Sequence, residues 1–246
     1  IYMDGLDQMI EYIQHKQRLV SANRILAREG VVDAFGHVSI RNMKDAKQYT
    51  MSRSRSPELV EFEDLMDFTL EGNAIDPRER VPYGERMIHG AIYEARPEIN
   101  AVVHNHSLAV LPFSLTATAL KPAIHVGAVI GEEIPIWDIR DHFGETDMLV
   151  RTMEQARHMT MAMGSNSCLL MRGHGAVIAG RSLKEVVMIA VYLQINAQVQ
   201  IEAMKMGEPT YLSSTEIELL CETQFSPLAM DRAWEYFCVR AGVDVV

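Results

Sequence analysis

The sequence predicts an α/β fold with a central sheet, and three observations carry that reading. Segments with helical apolar spacing are interleaved with short strand-like runs. The strand runs are brief and joined by tight turns, which favours a mixed or antiparallel sheet over a doubly wound one. No repeat, low-complexity tract or Pro/Gly/Ser-rich linker divides the 246 residues, so residues 1–246 read as a single domain.

Residues 6–28 carry apolar side chains at helical spacing, and Gly30 supplies the stop. "HVSI" (37–40) and "QYTMS" (48–52) read as strands, and "EGN" between "DFTL" and "NAID" reads as a hairpin turn. A helix is expected from Gly84 to Ala95, ending before Pro97. The strand "NAVVHNH" follows, then a helical stretch near 107–115 and the apolar run "HVGAVIG". Residues 145–163 read as a helix, and "SCLLMRGHGAVIAG" as a strand broken by a Gly-His-Gly turn. A long helix is expected over 181–206 and two more over 213–240. The long helix is apolar on much of its circumference, as either a central core helix or one half-buried in a subunit interface would be.

Composition narrows the function classes. Hydrophobic residues make up 48% and charged residues 23%, the balance of a soluble globular protein. A net charge of −10 argues against a nucleic-acid surface, which needs clustered Lys and Arg. The longest apolar runs fall short of a membrane span. Three scattered cysteines without CxxC fit a reducing compartment, so a cytoplasmic location is expected. The start, "IYMDGLDQMI", lacks the basic and apolar regions of a signal peptide and has no initiator Met, which points to a trimmed N-terminus.

The candidate chemistry centres on "AVVHNHSLAV". Residues i and i+2 of a strand share a face, so His104 and His106 are placed to meet one ion. The alternative is two polar residues that end a strand. His174, between Gly173 and Gly175, sits where the backbone can turn sharply, and Glu85 opens the helix that leads into the histidine strand. Three histidines and a carboxylate complete an inner shell for Zn²⁺, or with waters for Mn²⁺ or Fe²⁺. Glu85 has a bland reading as a first-turn acid answering the helix dipole, and His174 as a surface turn residue. His15 and His158 read as solvated helix residues. His89, one turn after Glu85, reads as packing or as support for a ligand, with packing favoured. In "SRSRSPE", Arg53 and Arg55 are suited to grip a carboxylate bidentately, or are solvated loop residues.

Four motifs in order, "GHVSIR" (36–41), "YTMSRSRSPE" (49–58), "PYGERMIHGAIYEARPEINAVVHNHS" (82–107) and "RGHGAVIAG" (172–180), resemble the class II aldolase/adducin family over about residues 6–207. The resemblance implies a three-layer α/β/α domain, a homotetramer, a divalent metal on His104, His106 and His174, and Glu85 as the metal-proximal acid/base. It also implies that His37, Ser39, Arg53, Ser54, Arg55 and Tyr83 would meet a substrate. Where the family's sugar-phosphate aldolases hold phosphate with small donors, this chain has Gly36-His37, Ser54-Arg55 and Tyr83-Gly84. Their catalytic tyrosine matches Val126. "GERMIHGAIYEARP", "IWDIRDHFG" and "LLMRGHG" are most similar to the family's decarboxylases of hydroxyaromatic and hydroxypyridine carboxylates. The resemblance therefore implies a metal-dependent decarboxylase acting on a small carboxylate. An aldolase or 4-epimerase is the rival enzyme, and a non-catalytic adducin-like assembly module the rival of another class.

Overall fold

The computed structural model describes residues 2–245. A seven-stranded sheet has the order β3-β2-β1-β4-β7-β6-β5, and all neighbours are antiparallel except β5 with β6. The strands are β1 His37–Arg41, β2 Gln48–Ser52, β3 Leu65–Thr69, β4 Ala101–Asn105, β5 Ile136–Trp137, β6 Cys168–Met171 and β7 Gly175–Gly180. Among the described residues eight α-helices accompany them: α1 Tyr2–Arg28, α2 Met87–Ala95, α3 Leu111–Leu115, α4 Arg140–Phe143, α5 Met153–Met163, α6 Leu183–Met206, α7 Ser214–Gln224 and α8 Pro227–Ala241.

Period-two alternation sorts the sheet residues onto two cores. Val38, Ile40, Ala101, Val103, Leu170, Ala176 and Ile178 face α1, α6 and α8. Tyr49, Met51, Phe68, Val102, Leu169, Met171 and Val177 face α2 and α5. The result is the mixed, mainly antiparallel α/β/α sandwich expected. Helix starts follow their capping chemistry: Thr152 with Gln155 and Ser213 with Glu216 form capping boxes, and Ser182 caps Glu185 N–H. Leu183, Val186–Val191 and Leu193 of α6 are buried within this one chain, while Val199, Met204 and Met206 in its second half are exposed. Its buried amides do local work: Asn196 accepts from Ala123 N–H, and Gln200 accepts from Lys121 N–H.

Two expectations need correcting. The helix expected over 145–163 begins only at Met153, so residues 145–152 form an irregular segment. Met148 there has a φ of +67°, which no α-helix accommodates. The helix expected from Gly84 begins at Met87, leaving Gly84–Arg86 as a turn. The run 125–130 is a 3₁₀-helix. The "EGN" turn is as expected, with Thr69 N–H donating to Asn73 O and Phe68 bridged to Ala74.

Candidate metal centre

The strand β4 ends because the Asn105 side chain accepts Ser107 N–H and turns the backbone. His104 is still in the strand and His106 lies just beyond it. The hairpin between β6 and β7 brings up the third histidine. Gly173 (φ +63°) makes the turn, and a Cβ on Gly175 would lie 1.9 Å from the Asn105 carbonyl oxygen, so only glycine lets β7 approach there. The ring centroids of His104, His106 and His174 are then 5.0 Å apart in all three pairs.

Glu85 closes the group from the turn before α2. Its Oε2 is 3.5 Å from both His104 Nε2 and His174 Nε2. The ligand atoms of the four residues all lie within 4.8 Å of one another. The first-turn reading of Glu85 therefore gives way to a carboxylate aimed into the cluster, and the surface reading of His174 to a ring only 8% exposed.

Backbone groups fix the donors. His104 Nδ1–H donates to Ala176 O at 3.1 Å, and His174 Nδ1–H to Met148 O at 3.0 Å, so each ring presents a bare Nε2. Val150 N–H donates to Glu85 Oε1 at 2.8 Å. The irregular 145–152 segment thus supplies a free carbonyl and a free amide that a helix would have consumed. His104 Nε2 and His106 Nε2 are buried without a hydrogen-bond partner, which is costly unless something else binds them. Three imidazole nitrogens and one carboxylate oxygen suit a Zn²⁺-, Mn²⁺- or Fe²⁺-class ion, so the residues fit a divalent metal.

Charge in the cluster follows from its surroundings. Burial works to raise the Glu85 carboxyl, but the His104 and His174 imidazoles 3.5 Å away outweigh it and hold the group far below the usual range. Burial, with His104 and His174 nearby, pulls His106 down to about 4. Both conditions are those of a ligand set: an anionic carboxylate and a neutral His106 imidazole.

The other predicted residues divide. His37 pairs with His104 across the β1–β4 ladder, its ring 5.1 Å from His104 and 4.7 Å from Tyr83. Tyr83 donates its hydroxyl to Arg55 O, tying the 52–56 loop to this wall. Arg53 Nε and Arg55 Nη1 each reach Asp64 at 2.6 Å, and Glu61 lies 3.7 Å from Arg55. Ser54 is exposed on the same loop. Ser39 is a correction: it points into the interior, fully buried, with its hydroxyl shared between His89 and Tyr93 at 2.6 and 2.8 Å. It offers a substrate no exposed surface. His15 and His158 are corrected too, since His15 meets Arg41 O and His158 accepts from Trp137 Nε1–H.

Sequence reasoning missed Asp64, Met148, Val150 and Tyr93, and underrated His89. Met148 and Val150 act through backbone groups, which no side-chain motif announces. His89 carried a signal, its i+4 spacing from Glu85.

Comparison with known proteins places this arrangement. The profile described as Class II Aldolase and Adducin N-terminal domain matches residues 17–201. The chain belongs to that family. It is similar to decarboxylase tropJ of Talaromyces stipitatus, 33% identical over 201 residues that cover 76% of each chain. It is also similar to 3,4-dihydroxyphthalate decarboxylase of Arthrobacter keyseri, 27% identical over 202 residues, 78% of this chain and 79% of that one. Among solved structures, L-fuculose 1-phosphate aldolase from Glaciozyma antarctica PI12 superposes with a TM-score of 0.77 at 22% identity, covering 94% of this chain and 90% of that one. That last likeness concerns the fold. The family membership and these relatives make the chain a member of a lyase superfamily with a cluster suited to a metal.

Proposed function

We propose that the chain is a divalent-metal-dependent carboxy-lyase that removes CO₂ from a hydroxy-substituted aromatic or pyridine carboxylate or dicarboxylate. The observation that carries the reading is the wall beside the cluster. His37 stands 5.1 Å from His104 and 4.7 Å from Tyr83, so imidazole and phenol rings occupy the space where a phosphate would need small donors and free backbone amides. Two relatives bearing decarboxylase names support the same direction.

His104, His106, His174 and Glu85 would hold the ion. When bound, it would supply a Lewis acid for the oxygen on which charge collects as CO₂ leaves. Arg53 and Arg55 bind a substrate carboxylate. Asp64 takes one N–H from each guanidinium and sets their direction, and the remaining N–H groups of each fork serve the substrate. His37 and Tyr83 orient the ring. Glu85, aimed into the cluster, passes the proton of the ring hydroxyl to the carbon that loses CO₂.

The test is CO₂ release from a panel of ortho-hydroxy benzene and pyridine carboxylates, with and without chelator. Chelator-sensitive release from at least one is expected. Chelator-sensitive cleavage of a sugar phosphate with no CO₂ from any acid would replace this reading with the aldolase one.

A further inference from the structure

A line of four buried groups runs from the wall of the cluster into the core beneath α2. His37 Nδ1 is 2.6 Å from His89 Nε2, and His89 Nδ1 is 2.6 Å from Ser39 Oγ. Ser39 Oγ is in turn 2.8 Å from the Tyr93 hydroxyl. His89 and Ser39 are fully buried, and Tyr93 and His37 nearly so. His37 Nε2 alone has no hydrogen-bond partner among the described residues, yet it is not sealed from solvent.

Each link holds one proton; if Ser39 accepted from both neighbours its own buried O–H would be left without an acceptor, so the chain threads in two directions. In one, Tyr93 O–H donates to Ser39, Ser39 O–H to His89 Nδ1, and His89 Nε2–H to His37 Nδ1. His37 then carries its own proton on Nε2. In the other, every donor reverses and the Tyr93 O–H is left over. Ser39 is the one hydrogen-bond partner found for that hydroxyl. The reversed chain therefore leaves a buried hydroxyl unsatisfied, at about 1–3 kcal/mol. The forward chain leaves nothing unsatisfied in the core and places its spare donor where solvent or a substrate reaches it.

We propose that Tyr93, Ser39 and His89 are positioning residues that fix His37 in the tautomer with Nε2–H, a donor offered to the substrate beside the metal cluster. A neutral donor there suits an anionic substrate: it hydrogen-bonds a carboxylate or a developing oxyanion, and it does not compete with His104, His106 and His174 for the ion. This role rests on the cluster's being the catalytic centre.

Neutron diffraction from crystals of the perdeuterated, Zn²⁺-loaded protein reads the tautomers directly. Deuterium is expected on Nε2 of His37 and Nε2 of His89, with both Nδ1 atoms bare. Deuterium on His37 Nδ1 would overturn the proposal. That map needs neither substrate nor turnover, so a wrong substrate assignment leaves it untouched. Kinetics test the consequence. With the acid that responds in the panel, Ser39→Ala should lower kcat at least about tenfold while metal content stays at the wild-type ratio, within the range for losing one aligned donor. An unchanged kcat in a folded, metal-replete Ser39→Ala protein would also overturn it.

Discussion

The two faces of the sheet are built from the same strands and do different things. The face under α1, α6 and α8 is aliphatic: β1 gives it Val38 and Ile40, β4 gives it Ala101 and Val103, and β7 gives it Ala176 and Ile178. The face under α2 and α5 receives the intervening residues, and from β1 these are His37, Ser39 and Arg41. His104 lies on that face as well, in register with His37. One face therefore gains stability from apolar area removed from water, while the other keeps polar groups that must be satisfied one by one. Alternation along a strand allows this division: a one-residue slip in β1 or β4 would exchange core and chemistry.

The largest expected effect falls on the chemical face. His106 lies past the end of β4 with its Nε2 unpartnered, so removing it sacrifices little packing. His106→Ala should fold, lose most of its bound metal, and lose ~10³-fold or more in CO₂ release, corresponding to the several kcal/mol a Lewis acid supplies. Elemental analysis beside the CO₂ assay checks both, and full activity without metal would remove the catalytic basis of the comparison. The opposite face should answer in stability alone. Ile178 is fully buried there, and Ile178→Ala should cost about 2–5 kcal/mol in urea unfolding while activity per folded molecule stays level. If that substitution also stripped the metal, the two faces would not be independent.

A third prediction concerns the polar chain within the second face. Burial lowers the His89 pKa to about 3, against about 6.5 in an unfolded chain. Between those values the unfolded state binds a proton that the folded state does not, so stability rises with pH. The contribution is complete above about pH 6.5 and is lost progressively as pH falls towards 3, by about 1.4 kcal/mol per pH unit for this one group. Urea titrations at pH 7, 6 and 5 should show the slope, and His89→Gln should flatten it by one proton's worth. An unaltered slope in that variant would mean that burial does not hold the His89 pKa down.

The aliphatic face was the more legible of the two. Val38, Ile40, Val103 and Ile178 declare their side by alternation, and the strand segments fall close to where the pattern puts them. His104, His106, His174 and Glu85 were legible as residue types at telling spacings. What escaped was whatever acts through backbone or through neutral polar packing. The segment 145–152 is amphipathic enough to pass for a first helical turn, yet its value lies in the unspent Met148 carbonyl and Val150 amide. Ser39 looked like a substrate contact because its strand carries one of the four family motifs. Strand parity instead aims it inward, and a buried hydroxyl among histidines has no signature in sequence.

The smallest predicted effect tests where the chemical face stops. Thr152 is the N-cap of α5, accepting Gln155 N–H at 3.2 Å, while the Gln155 side chain receives Arg151 and Thr152 N–H at 2.9 and 3.1 Å. It also marks the junction where the irregular segment holding His174 and Glu85 gives way to a helix packed on the second core. Losing such a cap costs typically about 1 kcal/mol. Thr152→Ala should therefore lower urea stability by about that amount. Activity should change less than about twofold, because the contacts made by Met148 and Val150 lie upstream of the cap and are anchored on the cluster itself. If metal affinity fell by an order of magnitude instead, α5 rather than the cluster would be setting the segment's geometry, and the site would extend along α5 beyond the residues that surround the ion.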